Sequence, residues 1–75
     1  MYTVTFWGGI LDGEIEYQNA APKKNLYSSG ANTIPLTEEE FANINQHNTR
    51  TMLYHKYIPI KIGKYQYQYK FDGFI

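Results

Sequence analysis

The stretch Tyr57-Ile58-Pro59-Ile60-Lys61-Ile62-Gly63-Lys64-Tyr65-Gln66-Tyr67-Gln68-Tyr69-Lys70 decides the fold. Two alternating runs meet at a glycine, which is the pattern of a β-hairpin. Gly63-Lys64 fits a two-residue type II′ turn, with glycine at the first central position. That turn sets Ile62 opposite Tyr65, Ile60 opposite Tyr67 and Ile58 opposite Tyr69. The expectation is a buried isoleucine/tyrosine face, since β-branched and aromatic residues pair well across strands. Tyr57, Lys61, Gln66, Gln68 and Lys70 then share the other face, which is polar, basic and exposed. Pro59 cannot donate to a strand ladder, so strand 54–62 is expected at a sheet edge, at least near Pro59. The tyrosine strand is expected inside the sheet, beside the N-terminal strand.

Working outward, Tyr2-Thr3-Val4-Thr5-Phe6-Trp7 alternates with period two and is rich in strand formers. Tyr2, Val4 and Phe6 form its core face, and Trp7 lies opposite. A second strand is expected at Glu14-Ile15-Glu16-Tyr17. Asp12-Gly13 is the favoured turn between them, with Gly8-Gly9 as a bulge, and Gly8-Gly9 is the alternative turn. Either choice puts Ile15 and Tyr17 on the core face.

Residues 18–36 show no sustained period and read as a long loop, pinned by Leu26, Tyr27, Ile34 and Leu36. Lys23, Lys24 and Asn25 form its exposed tip. A helix follows from Glu38 to about His47. Thr37 and Glu40 make a capping box, and Leu36 with Phe41 a hydrophobic staple. Glu38, Glu39 and Glu40 sit in the first turn, where the helix dipole favours anions. The fold class expected is therefore α+β: an antiparallel sheet of about four strands in β-β-α-β-β order, covered by one short helix.

Composition sets the remaining bounds. Seventy-five residues make a single domain, 1–75, with a small core and no cysteine to staple it. Eight tyrosines, four phenylalanines and one tryptophan supply the bulk of that core. Each ring buries about 150–250 Å². No targeting segment or membrane-length apolar run is present, which makes cytoplasmic the expected location and excludes a membrane partner. Charge is divided: residues 1–48 hold two lysines against six carboxylates, net −4, while residues 49–75 net +4.

The chemistry of sites is sparse. There is no glycine-rich nucleotide fingerprint or phosphate loop. Ser28 and Ser29 have no histidine or acid beside them in sequence, and His47 and His55 fit solvated or capping roles. Asp12, Glu14 and Glu16 lack the rigid ligand loop of a cation site. No catalytic residue, cofactor or metal is expected.

These features point to a small non-enzymatic binding or inhibitory protein acting through a protein–protein contact. On size alone, such a chain fits a phage or mobile-element effector. Trp7, Tyr57 and Arg50 are the leading contact residues, because tryptophan, tyrosine and arginine dominate interface hot spots. Lys61, Gln66, Gln68 and Lys70 complete the expected patch. The alternative is a nucleic-acid-binding domain using Arg50, Lys56, Lys61, Lys64 and Lys70, although zero net charge weighs against it. Homodimerisation that completes a small core is the third expectation.

Overall fold

The structure is a computed structural model that describes residues 1–30, 34–47 and 53–75. It has a six-stranded mixed sheet and one short helix, where about four strands and a purely antiparallel sheet were expected. The strands are β1 (Tyr2–Trp7), β2 (Ile15–Gln18), β3 (Leu26–Ser28), β4 (Leu36–Thr37), β5 (His55–Gly63) and β6 (Gln66–Phe74). Helix α1 spans Glu38–His47, between β4 and β5. The spatial order is β2-β1-β6-β5-β3-β4, and the sheet curls into a half-barrel. As expected, β6 is interior and lies beside β1; that pair is parallel, and the other pairs are antiparallel. No helix among the described residues is long and apolar enough to cross a membrane.

The hairpin forms, but its register is corrected by one residue. Lys64 and Tyr65 make the turn, Gly63 pairs with Gln66, and Lys61, Pro59 and Tyr57 oppose Tyr67, Tyr69 and Phe71. A one-residue shift turns side chains to the other face. Tyr57 is therefore fully buried instead of exposed, and Lys61 shares the face of the tyrosines. The isoleucines leave the core: Ile58 is half-buried, and Ile60 and Ile62 are exposed. The physical reason is that this thin sheet closes over only one face, and rings bury more apolar area per residue than isoleucine does. Tyr57, Tyr69, Phe6, Val4 and Leu11 make the main core, with Leu26, Tyr67 and Phe71 packed against it. Phe6 stacks on Tyr69 at 5.2 Å and meets Tyr57 edge-on at 5.4 Å.

Pro59 sits as its chemistry requires. Thr3 N–H donates to Tyr65 C=O at 2.9 Å, so odd residues of β6 aim their main chain at β1 and even ones at β5. Ile58 and Ile60, opposite Lys70 and Gln68, then exchange bonds with β6, and Pro59 points outward. Among the described residues the expected edge holds over 58–62. It is corrected over 55–57, where β3 pairs with β5.

The first connection also departs from expectation. Neither glycine dipeptide makes a two-residue hairpin. A 3₁₀ turn over Gly9–Leu11 and a turn at Asp12-Gly13 together join β1 to β2. Gly8, Gly9 and Gly13 all take positive φ, of 79°, 63° and 86°. Thr5 then faces Ile15 and Thr3 faces Tyr17. Ile15 and Tyr17 thus lie on the face opposite Val4 and Phe6, not with them.

The long 18–36 segment contributes β3 and β4, which sequence alone read as loop. Tyr27 and Leu36 do anchor it, stacking on and packing against Phe41, whereas Ile34 is 90% exposed and pins nothing. The helix is as expected. Thr37 N–H donates to the Glu40 carboxylate at 2.9 Å, and Glu40 N–H donates to Thr37 Oγ1 at 3.3 Å. Phe41, Tyr27 and Tyr54 form a second, smaller core that fixes α1 on β3 and β4. Lys24 and Asn25 at the tip reach back to Glu39 and Glu38, at 2.6 and 3.2 Å. Arg50 and the side chains of Ile44 and His47 lie outside the described residues.

Candidate partner-binding face

The strand registers divide the sheet into two faces. The inner face carries the main core. On the outer face, one row runs Ile15, Thr5, Gln68, Ile60 across β2, β1, β6 and β5. A second row runs Tyr17, Thr3, Gln66, and a third Trp7, Lys70, Ile58. Over β2, β1 and β6 the described side chains of this surface are exposed or half-buried, while toward β3 Tyr27, on the same side as Lys56, is covered by Phe41. Trp7 is 61% exposed, Ile15 55%, Tyr17 68% and Ile60 37%. Lone exposed apolar side chains are ordinary, but contiguous ones mark interaction sites.

Four of the residues expected from sequence come together here: Trp7, Gln66, Gln68 and Lys70. Three do not. Tyr57 is inside the core, Lys61 is on the inner face opposite Tyr67, and Arg50 lies outside the described residues. The structure adds Ile15, Tyr17, Ile58 and Ile60, which sequence reasoning assigned to the core. No signal in the sequence marked the change of face of Ile15 and Tyr17, which comes with the 3₁₀ turn over Gly9–Leu11 inside the connection.

Charge on this face is light. Lys56 is 3.7 Å from Asp72, so Lys70 is the main cation among the apolar groups. The lysines of the alternative nucleic-acid reading do not form one patch, since Lys61 and Lys70 point to opposite faces.

The inner face is held by tyrosine hydroxyls bonded to main chain. Tyr57 Oη donates to Gly8 C=O and accepts from Leu11 N–H, each at 2.8 Å. Tyr69 Oη donates to Lys24 C=O at 2.8 Å. Burial raises the pKa of the Tyr57 phenol; burial also pushes that of Tyr69 up to about 12, helped by the charge of Glu16. Both hydroxyls tie main-chain segments to the core, and burial makes both harder to ionise than a free phenol. His55 Nδ1 accepts a hydrogen bond from Ile10 N–H at 3.3 Å, and its ring contacts Phe71 and Phe74. At the helix start, the Glu39 carboxylate raises the pKa of Lys24, and its own pKa is lowered by the same contact. Among the described residues, no group of three or more histidine, aspartate or glutamate side chains converges to hold a metal ion.

Neither a family model, nor a curated protein, nor a solved structure matches this chain. The functional reading therefore stands on the chain's own surfaces.

Proposed function

We propose that this chain is a small non-enzymatic binding or inhibitory protein, and that it docks a protein partner on the outer face of its sheet. One observation carries the reading: Trp7, Ile15, Tyr17 and Ile60 stand exposed on one sheet face, interspersed with Thr3, Thr5, Gln66, Gln68 and Lys70. Aromatic anchors within a polar surround are what protein interfaces use. The inner face offers no comparable surface over its main core, where the rings are packed and their hydroxyls satisfied.

The test is affinity capture from host extract with Trp7→Ala and Tyr17→Ala. Both positions are exposed, so circular dichroism and melting should stay close to those of the unaltered protein. The expected outcome is loss of the captured partner in both variants. Undiminished capture by folded variants would remove this face from consideration. Tyr57→Ala is unsuitable as an interface probe, because it empties the core.

A further inference from the structure

Among the described residues β4, the 58–62 part of β5, and β2 each have an open strand edge, and β6 has a short one past Lys70 that runs into Gly73 at positive φ. An open edge pairs with other chains unless something obstructs it. β4 is only two residues long. β5 points Pro59 outward, where no N–H is available, and adds Lys61 beside it. β2 carries neither proline, lysine nor bulge.

The free groups on β2 can be named. Phe6 N–H donates to Glu14 C=O at 2.9 Å, so even residues of β1 aim at β2. Val4/Glu16 and Tyr2/Gln18 are then the bonded pairs. Ile15 and Tyr17 turn their N–H and C=O groups away from β1, to the outside of the sheet. No described residue meets them.

Side chains select what could pair there. Glu16 lies opposite Val4 on the inner side of this edge; alternation puts Glu14 on the same side. Both are exposed, and Gln18 Nε2 donates to Glu16 at 3.2 Å. Ile15 and Tyr17 lie on the outer side. A second β2 is a poorer match, because it brings no cation to these carboxylates: its face-preserving antiparallel registers set Glu16 against its own copy, Glu14 or Gln18. Like charges directly opposite are destabilising, and opposite charges are favourable.

We propose that the free edge of β2 takes up an extended segment of a partner protein by strand addition, the segment alternating lysine or arginine with apolar residues. Its cations meet Glu14 and Glu16. Its apolar side chains extend the outer face beside Ile15 and Tyr17, and its main chain bonds to those two residues. The idea rests on the outer face being the docking surface, and it specifies the part of the partner held at one border of that face. Strand addition is an established mode of peptide recognition, with affinity from main-chain bonds and specificity from alternate side chains.

The experiment is amide hydrogen exchange by NMR, with two capped heptapeptides as probes: one alternates lysine and valine, the other glutamate and valine. At saturating lysine peptide, exchange at Ile15 and Tyr17 should slow by about tenfold or more, with Lys61 unchanged. The glutamate peptide should give no protection. The double variant Glu14→Lys/Glu16→Lys should reverse the preference by about tenfold. Two results overturn the proposal: binding of the lysine peptide without protection at Ile15 and Tyr17, or no protection by either peptide. Neither result touches the outer-face reading, which fails separately if Trp7→Ala leaves partner capture intact.

Discussion

Tyr57→Phe removes one oxygen atom from the middle of the core. The ring would keep its packing against Phe6 and Phe71, at 5.4 and 5.9 Å. What goes is the hydroxyl that bridges Gly8 C=O and Leu11 N–H, each at 2.8 Å. Those two groups belong to the connection that lays Leu11 onto the main core. A typical hydrogen bond contributes about 1 kcal/mol net, and a buried group left without a partner costs about 1–3 kcal/mol. The expected loss is therefore about 2–3 kcal/mol. A core of this size supplies only about 3–5 kcal/mol in total. At roughly 4–8 °C per kcal/mol for a domain of this length, the melting temperature should fall by about 10–20 °C. Urea unfolding followed by far-UV circular dichroism measures it: the midpoint should drop with an unchanged slope. A variant within about 0.5 kcal/mol of the parent refutes the reasoning. It would mean that the hydroxyl already faces water, as it does in the register expected from sequence.

Further predictions use other joints of the structure. A Cβ at Gly9 would stand 2.6 Å from Tyr57 Oη and 2.8 Å from Phe71 Cδ1, whereas one at Gly13 meets nothing within 4 Å. Both have positive φ, so Gly13→Ala should cost about 1–2 kcal/mol and Gly9→Ala clearly more, as paired denaturation curves would show. Thr37→Ala breaks the capping box and should cost about 1 kcal/mol, read as a small drop in melting temperature. Ile60→Ser lies on the exposed face and should change stability by less than about 0.5 kcal/mol. The phenol pKa of Tyr69, about 12, is raised above its unfolded value, so its stabilising effect is complete below about pH 10 and disappears as pH climbs through the folded pKa. A phenolate absorbance titration should show unfolding and late tyrosine ionisation together. Ionisation of all eight tyrosines near pH 10 in a still-folded chain would contradict it.

What the sequence revealed follows from how local each feature is. The helix was legible to the residue because Thr37, Glu40, Leu36 and Phe41 act within one turn of each other. Trp7, Gln66, Gln68 and Lys70 were legible as a face because alternation within β1 and within β6 needs no knowledge of their neighbours. Tyr57, Lys61, Ile58, Ile60, Ile15 and Tyr17 were misplaced together, since each depends on a cross-strand register. For β5 that register turned on Gly63 being read as a turn residue. The aromatic core instead moves the turn to Lys64 and Tyr65, with an irregularity between Lys61 and Gly63. β3 was hidden because its three residues gain strand geometry from β5, some thirty positions away in the chain.

The β5 share of the proposed docking face, Ile58 and Ile60, follows from the register of β5 against β6. Non-hydrogen-bonded antiparallel pairs bring their Cα atoms to about 4.5 Å, close enough for a strong Hα–Hα nuclear Overhauser effect. Such effects are expected between Pro59 and Tyr69 and between Lys61 and Tyr67. Effects between Pro59 and Gln68 and between Lys61 and Gln66 would contradict it. They would return the isoleucines to the core and Tyr57 to the surface.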